Sequence, residues 1–464
     1  MSDPVSVFLV VIASLLLVGA LGELLFARTR IPDVIWLIAA GLALRLMGVV
    51  PQEVLDTITP YFTALTLVVV LFEGGSRLSL ADLVGAAPRA TLMSVLGFLF
   101  ATITVALFSV GLSAIAVLPP SWTFSHGLML GAIVGGTSSL ILTPALALAR
   151  VSPRIQRIVQ LEASLTDALC VVIALPLIGI LADQTHSFGT ALGAVGKSFG
   201  IAVALGILGG WAWVPVIRLL ADSPRVYPLT LAALMFLYVF TGEAGGSPAM
   251  AVLAFAVVVG NARLLMHWLI RAKPEGPETT LASSVRTVHS QISFIIKSLF
   301  FTYLGLMLEP PWSMLIMGVV LGLVLMLVRI PAVLVSLREP AFSIEERGTA
   351  QISMPRGMAA GALATMPMIA GVPGTESLHS LVFATIAATI VLFTIGYRKT
   401  QGAWPPTRIQ VTSGGIGPLA RLGVGSDDPG PEEVTATIAA ELDVIENEEP
   451  YTPPGPGSER DGLA

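Results

Sequence analysis

The stretch IVQLEASLTDALCVVIALPLIGIL, residues 158–181, is long and apolar enough to cross a bilayer, and it carries two carboxylates, Glu162 and Asp167, and no other charge. A charged group in hydrocarbon costs roughly 2.5–3.5 kcal/mol on insertion scales, so an ionisable residue in such a helix faces water or a partner and marks a functional site. What these two acids bind decides the reading of the rest of the chain.

The flanking sequence is of the same kind. Hydrophobic residues make up 55% of the 464 and charged residues 12%, with 45 glycines, and the mean hydropathy is +0.85. That composition belongs to an all-α polytopic membrane protein. The single cysteine, Cys170, excludes an intramolecular disulfide and reads as a small buried hydrophobe.

A hydrocarbon core about 30 Å thick takes about 20 apolar residues of helix. On that measure the sequence predicts thirteen spans, at residues 5–26, 33–50, 59–75, 91–118, 126–149, 155–181, 189–220, 226–242, 248–268, 289–308, 312–337, 348–371 and 376–397. The seventh is long enough to be tilted or to include an interfacial piece. Basic residues collect in alternate connections, from Arg28 and Arg30 through Arg150, Arg154 and Arg157 to Arg398 and Lys399, while the intervening connections contain no Lys or Arg. Cytoplasmic loops are the ones that gather these charges, so the N-terminus is expected outside and the C-terminus in the cytoplasm of a cell-membrane protein. The first span has its basic residues after the apolar stretch rather than before it, so it is expected to stay as helix one rather than be cleaved as a signal peptide.

Residues 1–398 form the membrane domain and 399–464 a separate tail. From position 403 the tail holds eleven acids against Arg408, Arg421 and Arg460, a net −8 that leaves +3 for the remainder of a chain of net −5. Rich in Pro, Gly, Asp and Glu, it cannot bury enough apolar surface to fold alone and is expected to be disordered and cytoplasmic, its acids solvated.

Two spans are interrupted. Gly135-Gly136-Thr137-Ser138-Ser139 runs to Pro144 in span five, and Pro355-Arg356-Gly357 runs to Pro367 in span twelve. Unwound backbone at membrane depth is tolerated only where it lines a cavity or is buried in protein, so the breaks point at a site. If the chain is two inverted six-span repeats, 1–182 and 226–398, joined by span seven, the breaks in spans five and twelve occupy equivalent places with opposite orientation, as in secondary transporters. The plainer alternative is glycines that only let helices pack closely.

Glu162 and Asp167 are five residues apart, about 140° around a helix, so they cannot share one ligand face. Arg329, Arg356 and Lys297 are the intramembrane cations on offer. Glu162 is assigned Arg329 as a structural partner, which leaves Asp167 to titrate. A hard cation and a proton then compete for one carboxylate, with Ser164 one turn back and Thr137 at the break as further oxygens. A site that is never empty while crossing makes exchange obligatory. The competing reading pairs Asp167 permanently with Lys297.

Ile31-Pro32-Asp33 opening span two, Leu71-Phe72-Glu73-Gly74-Gly75 closing span three, the Gly135 to Pro144 break, Glu162 to Asp167 on span six, Leu304-Gly305-Leu306, Arg329 and Pro355-Arg356-Gly357 follow one another in an order that resembles the sodium/proton exchanger branch of the monovalent cation:proton antiporter superfamily, over residues 1–398. The resemblance implies a thirteen-helix fold with a dimerisation domain, hence a homodimer, and a mobile core in which crossed broken helices meet the aspartate. It implies that Asp167 carries the ion or the proton, that Glu162 and Arg329 are a structural acid and base, that Arg356 balances helix dipoles at the second break, and that Thr137 is a backbone and hydroxyl ligand. Ser138, Ser164 and Thr166 complete the expected ion site. The implied activity is secondary antiport of Na⁺, K⁺ or Li⁺ against H⁺, with no cofactor, nucleic acid or enzymatic step.

Two positions depart from the family pattern: Ser138 stands where Asp is usual in the first break, and Thr166 where Asn or Asp precedes the carrier. Neither is charged, so one free carboxylate predicts one cation exchanged for one proton without net charge. Lys297 is a further oddity, a modulator that either approaches Asp167 or lies along a packed interface. The histidines, His126 and His379 among them, fall near span ends and read as exposed rather than pH-sensing. Glu73 and Glu23 read as inner-funnel or solvated helix ends. A solute:cation symporter of the same architecture is the alternative function; a channel or a membrane hydrolase fits less well, since no nucleophile–base pair or two-histidine metal spacing accompanies Asp167.

Overall fold

The computed structural model describes residues 13, 17–22, 31–48, 52–78, 88–147, 152–182, 188–220, 223, 225–262, 283–308, 312–338 and 342–401. The expectations for Glu23 and the tail beyond Gln401 lie outside them. Among the described residues there is no strand, and fourteen helices follow residues 17–22: α1 (Asp33–Leu46), α2 (Gln52–Arg77), α3 (Pro88–Ala114), α4 (Phe124–Val134), α5 (Ser139–Ala147), α6 (Pro153–Ala182), α7 (Phe188–Leu219), α8 (Val226–Glu243), α9 (Pro248–Gly260), α10 (Ser283–Leu306), α11 (Trp312–Ser336), α12 (Ile344–Ile352), α13 (Met358–Ile369) and α14 (Leu378–Gln401). Spans two to thirteen map onto them in order, spans five and twelve each split into two half-helices, α4/α5 and α12/α13. Span one contributes the helical residues 17–22.

Eight of the described helical stretches are long and apolar enough to cross a membrane, with three shorter apolar helices beside them. The architecture is that of an all-helical polytopic membrane protein. Span seven is one continuous 32-residue helix, about 48 Å at 1.5 Å per residue. α2 starts a turn or more before its predicted edge and continues through Pro60, because its first residues are polar without being helix-breaking.

The helices pack in two groups. α1, α2 and α7–α10 pack mainly on one another, and α3–α6 with α11–α14 do the same. Within the first group α1 and α10 run side by side in parallel. A side chain at Gly41 would strike the Thr302 carbonyl, and one at Gly305 would strike that of Ile38, so the two backbones touch at these glycines. Such approach is available only to residues without a Cβ. Gly41→Val is therefore expected to lower stability by about 1–3 kcal/mol, the usual cost of overpacking, read as a fall in thermal midpoint of the detergent-solubilised protein; an unchanged midpoint would mean the helices separate at no cost.

The groups meet chiefly where α2 lies against α13 and α6 and α7 against α6, with α10 touching α13. Thr63 of α2 and Thr365 of α13 share a hydrogen bond of 2.9 Å between buried hydroxyls, and the Phe300 ring of α10 sits where a side chain at Gly361 of α13 would be.

Candidate functional site

The two unwound segments, residues 135–138 and 353–357, cross in contact at the centre of the second group. Ser138 N–H donates to the Pro355 carbonyl at 2.8 Å, and Gly357 faces the Ser138 hydroxyl so closely that a Cβ there would clash. Breaking a helix frees amides that must find acceptors in a water-poor interior. Here those of residues 136–139 are matched. Gly136 N–H donates to Cys170 Sγ at 3.1 Å, Thr137 N–H to Thr166 Oγ1 at 3.1 Å, and Ser139 N–H to Asp167 Oδ2 at 3.4 Å. Three of these acceptors come from α6, where Thr166 and Cys170 stand one turn apart and Asp167 flanks them. Cys170, read from the sequence as a small hydrophobe, is thus a hydrogen-bond acceptor for the break, buried to 1%.

The freed helix ends carry partial charges, positive at N-termini and negative at C-termini. Three formal charges of the site, Arg356, Arg329 and Asp167, fall on ends of opposite sign. Arg356 Nη1 donates to the carbonyls of Gly135 at 3.0 Å and Gly136 at 2.5 Å, just beyond the C-terminus of α4. Arg356 therefore serves the first break, although in sequence it belongs to the second, because the crossing carries its side chain over. Its own amide donates to Thr389 Oγ1. Arg329 Nε donates to the Ala350 carbonyl in the last turn of α12 at 2.9 Å. Asp167 lies at the N-terminus of α5.

Glu162 is 1% exposed and Arg329 6%. They form a bidentate pair, Nη1 to Oε1 and Nη2 to Oε2, both at 2.9 Å. Thr137 Oγ1 also reaches Glu162 Oε1, at 3.3 Å. Glu162 is thus sealed and fully partnered, whereas Asp167 is partly exposed and takes its hydrogen bonds from Ser139 alone among the bonds described.

Thr137 lies over Glu162 and Thr166 rather than over Asp167. Thr166 donates its hydroxyl to the Glu162 and Ala163 carbonyls and so holds the break instead of facing an ion. Ser138 turns away to Pro355 and Gly357, and the hydroxyl on Asp167 belongs to its neighbour Ser139, at 3.1 Å. Sequence spacing missed that one-residue rotation because an unwound backbone follows no helical period. Ser164 is buried one turn before Asp167.

Of the two alternatives for Lys297, the structure favours the packed interface: it lies between α10 and α1 and forms an ion pair there with Asp33, Nζ to Oδ2 at 2.5 Å, rather than with Asp167. The parallel register that sets Gly41 against Gly305 sets Asp33 against Lys297, the same distance earlier on each helix. Glu73 is buried at 5% rather than solvated. His126 and His379 are buried as well, each at 8%; His126 Nδ1 accepts from the Thr123 amide at the start of α4, which draws the ring inward.

Two half-helices crossing at mid-bundle, their end charges countered by buried ionic side chains, with one carboxylate left reachable, define an ion-coupled secondary transporter. The sequence profile described as "Sodium/hydrogen exchanger, transmembrane" matches residues 12–398. The chain belongs to that family, one of transporters rather than enzymes. It is 26% identical over 434 residues to the K(+)/H(+) antiporter NhaP2 of Shewanella baltica, covering 89% of this chain and 70% of that protein. It is 27% identical over 334 residues to the K(+)/H(+) antiporter NhaP of Alkalimonas amylolytica, covering 71% and 54%. The fold matches the solved sodium proton antiporter MjNhaP1 of Methanocaldococcus jannaschii at pH 8, with a TM-score of 0.65 and 20% identity over 86% of this chain and 100% of that one. All three are antiporters, which leaves the symporter reading without support.

Proposed function

We propose that this protein exchanges one alkali cation for one proton across a cell membrane by alternating access, with Asp167 as the carrier of both. The observation that carries the reading is the contrast between the two acids of α6: Glu162 is sealed by Arg329, while Asp167 is partly exposed and has no cationic partner in a described ion pair. A carboxylate at the N-terminus of α5, faced by hydroxyl and amide groups, can take a proton or a hard cation but not both. Potassium is the first cation to test, since the relatives compared by sequence are K⁺/H⁺ antiporters.

The packing groups correspond in this reading to a scaffold (α1, α2, α7–α10), through which two protomers associate, and a moving core (α3–α6, α11–α14). The N-terminus is outside and the acidic tail cytoplasmic, following the basic loops. Glu162, Arg329 and Arg356 hold the crossing together, and Thr137, Thr166 and Cys170 fix its unwound backbone.

The test is dissipation of a pH gradient in proteoliposomes on addition of K⁺, Na⁺ or Li⁺, run with and without an imposed membrane potential. With Lys297 engaged by Asp33 in the scaffold, one carboxylate alone cycles, so the rate is expected to be indifferent to the potential, in the wild type and in Lys297→Gln alike. A rate that follows the potential would refute the one-for-one stoichiometry; no cation-dependent dissipation at all would refute the exchange.

A further inference from the structure

We infer that the Ser139 side chain, rather than that of Ser138, is a direct ligand of the exchange site, and that its hydroxyl sets the affinity for the cation relative to the proton. The inference rests on the reading of Asp167 as the carrier. Ser139 is the first residue of α5 and is 6% exposed. Its hydroxyl donates to Asp167 Oδ2 at 3.1 Å and its amide donates to the same oxygen at 3.4 Å. Its carbonyl accepts from Thr143 Oγ1 at 2.8 Å, which ties it into the first turn of α5. The preceding residue points to the opposite strand of the crossing, against Gly357.

The two Ser139 donors are not equivalent. An amide N–H is fixed and can only donate, so it favours the charged carboxylate in every state. A hydroxyl has one hydrogen and two lone pairs and rotates freely. It donates while the carboxylate is charged and unoccupied. When a cation settles against Asp167 the same hydroxyl turns its oxygen inward and coordinates the ion, and when the carboxylate is protonated it accepts from the new O–H. Ser139 is therefore needed by the cation as an oxygen ligand and by the proton only as a replaceable partner. Removing the hydroxyl should cost the cation more than the proton.

The experiment compares Ser139→Ala, Ser139→Thr and Ser138→Ala in proteoliposomes, measuring the KM for K⁺ and Na⁺ at fixed pH, Vmax at saturating cation, and the thermal midpoint of each purified variant. Losing one charge-coupled oxygen contact should raise the cation KM of Ser139→Ala about tenfold, with Vmax and midpoint near the wild type. Ser139→Thr, which keeps the hydroxyl, should restore the KM, and Ser138→Ala should leave it unchanged. A Ser139→Ala KM within about twofold of the wild type, when a lost contact of this kind predicts a decade, would overturn the assignment. So would a loss of Vmax and thermal midpoint at constant KM, which is the signature of a residue that only supports the fold. Failure of the carrier reading itself would show separately, as exchange persisting in Asp167→Asn.

Discussion

Asp167→Asn is expected to abolish cation-dependent dissipation of the pH gradient, to the level of protein-free liposomes, while leaving the protein folded. Asparagine keeps the shape and an acceptor oxygen for the Ser139 donors, so the geometry of the break survives. It carries no charge, so neither proton nor cation has anything to neutralise, and the coupled exchange stops. The thermal midpoint should be retained or raised, because a partly buried charge with no cation beside it costs desolvation energy that the amide does not. The measurement is paired: transport in proteoliposomes, and thermal unfolding of the same purified preparation. Native-rate exchange by the variant would remove Asp167 from the mechanism, and an unfolded variant would make it a structural residue.

Much of this site was legible in the sequence because membrane physics restricts where certain residues can stand. Glycine and proline clusters at span centres announced the breaks, and two acids in an apolar run announced the helix that serves them. The bidentate pairing of Glu162 with Arg329 joins a deeply sealed acid to a mid-span arginine, a pairing that helix-face geometry already suggested. What escaped was set by contacts between distant segments. The angle of 140° between Glu162 and Asp167 did not foresee that one break reaches both, Thr137 in its unwound segment bonding the first and Ser139, the first residue of α5, the second. Arg356 was assigned to its own break, but a crossing is a relation between two chains of backbone and its side chain answers the other one. Asp33 was read as a helix opener, and only the glycine contact between α1 and α10 fixes the register that delivers it to Lys297.

Glu162→Gln should fail in the opposite way to Asp167→Asn. The Arg329 guanidinium is 6% exposed, and its two nitrogens on Glu162 and its Nε on the Ala350 carbonyl at 2.9 Å account for its bonding. Taking away the carboxylate charge leaves a buried cation with one neutral amide in its place. Breaking a buried pair from one side costs about 3–5 kcal/mol, because the charge that remains is uncompensated. That is a large part of the 5–15 kcal/mol that ordinary domains have to lose, so low expression and a strongly depressed thermal midpoint are expected. The charge-free double change Glu162→Leu with Arg329→Met should recover part of the midpoint, since no charge is then left buried; the recovery stays partial because the Ala350 carbonyl and the Thr137 hydroxyl lose their partners. A Glu162→Gln protein that is as stable as the wild type and altered only in its cation KM would move Glu162 into the ion site and place two titrating carboxylates on α6. The one-for-one stoichiometry would then have no physical basis, because it depends on Glu162 remaining charged and paired with Arg329 throughout the cycle.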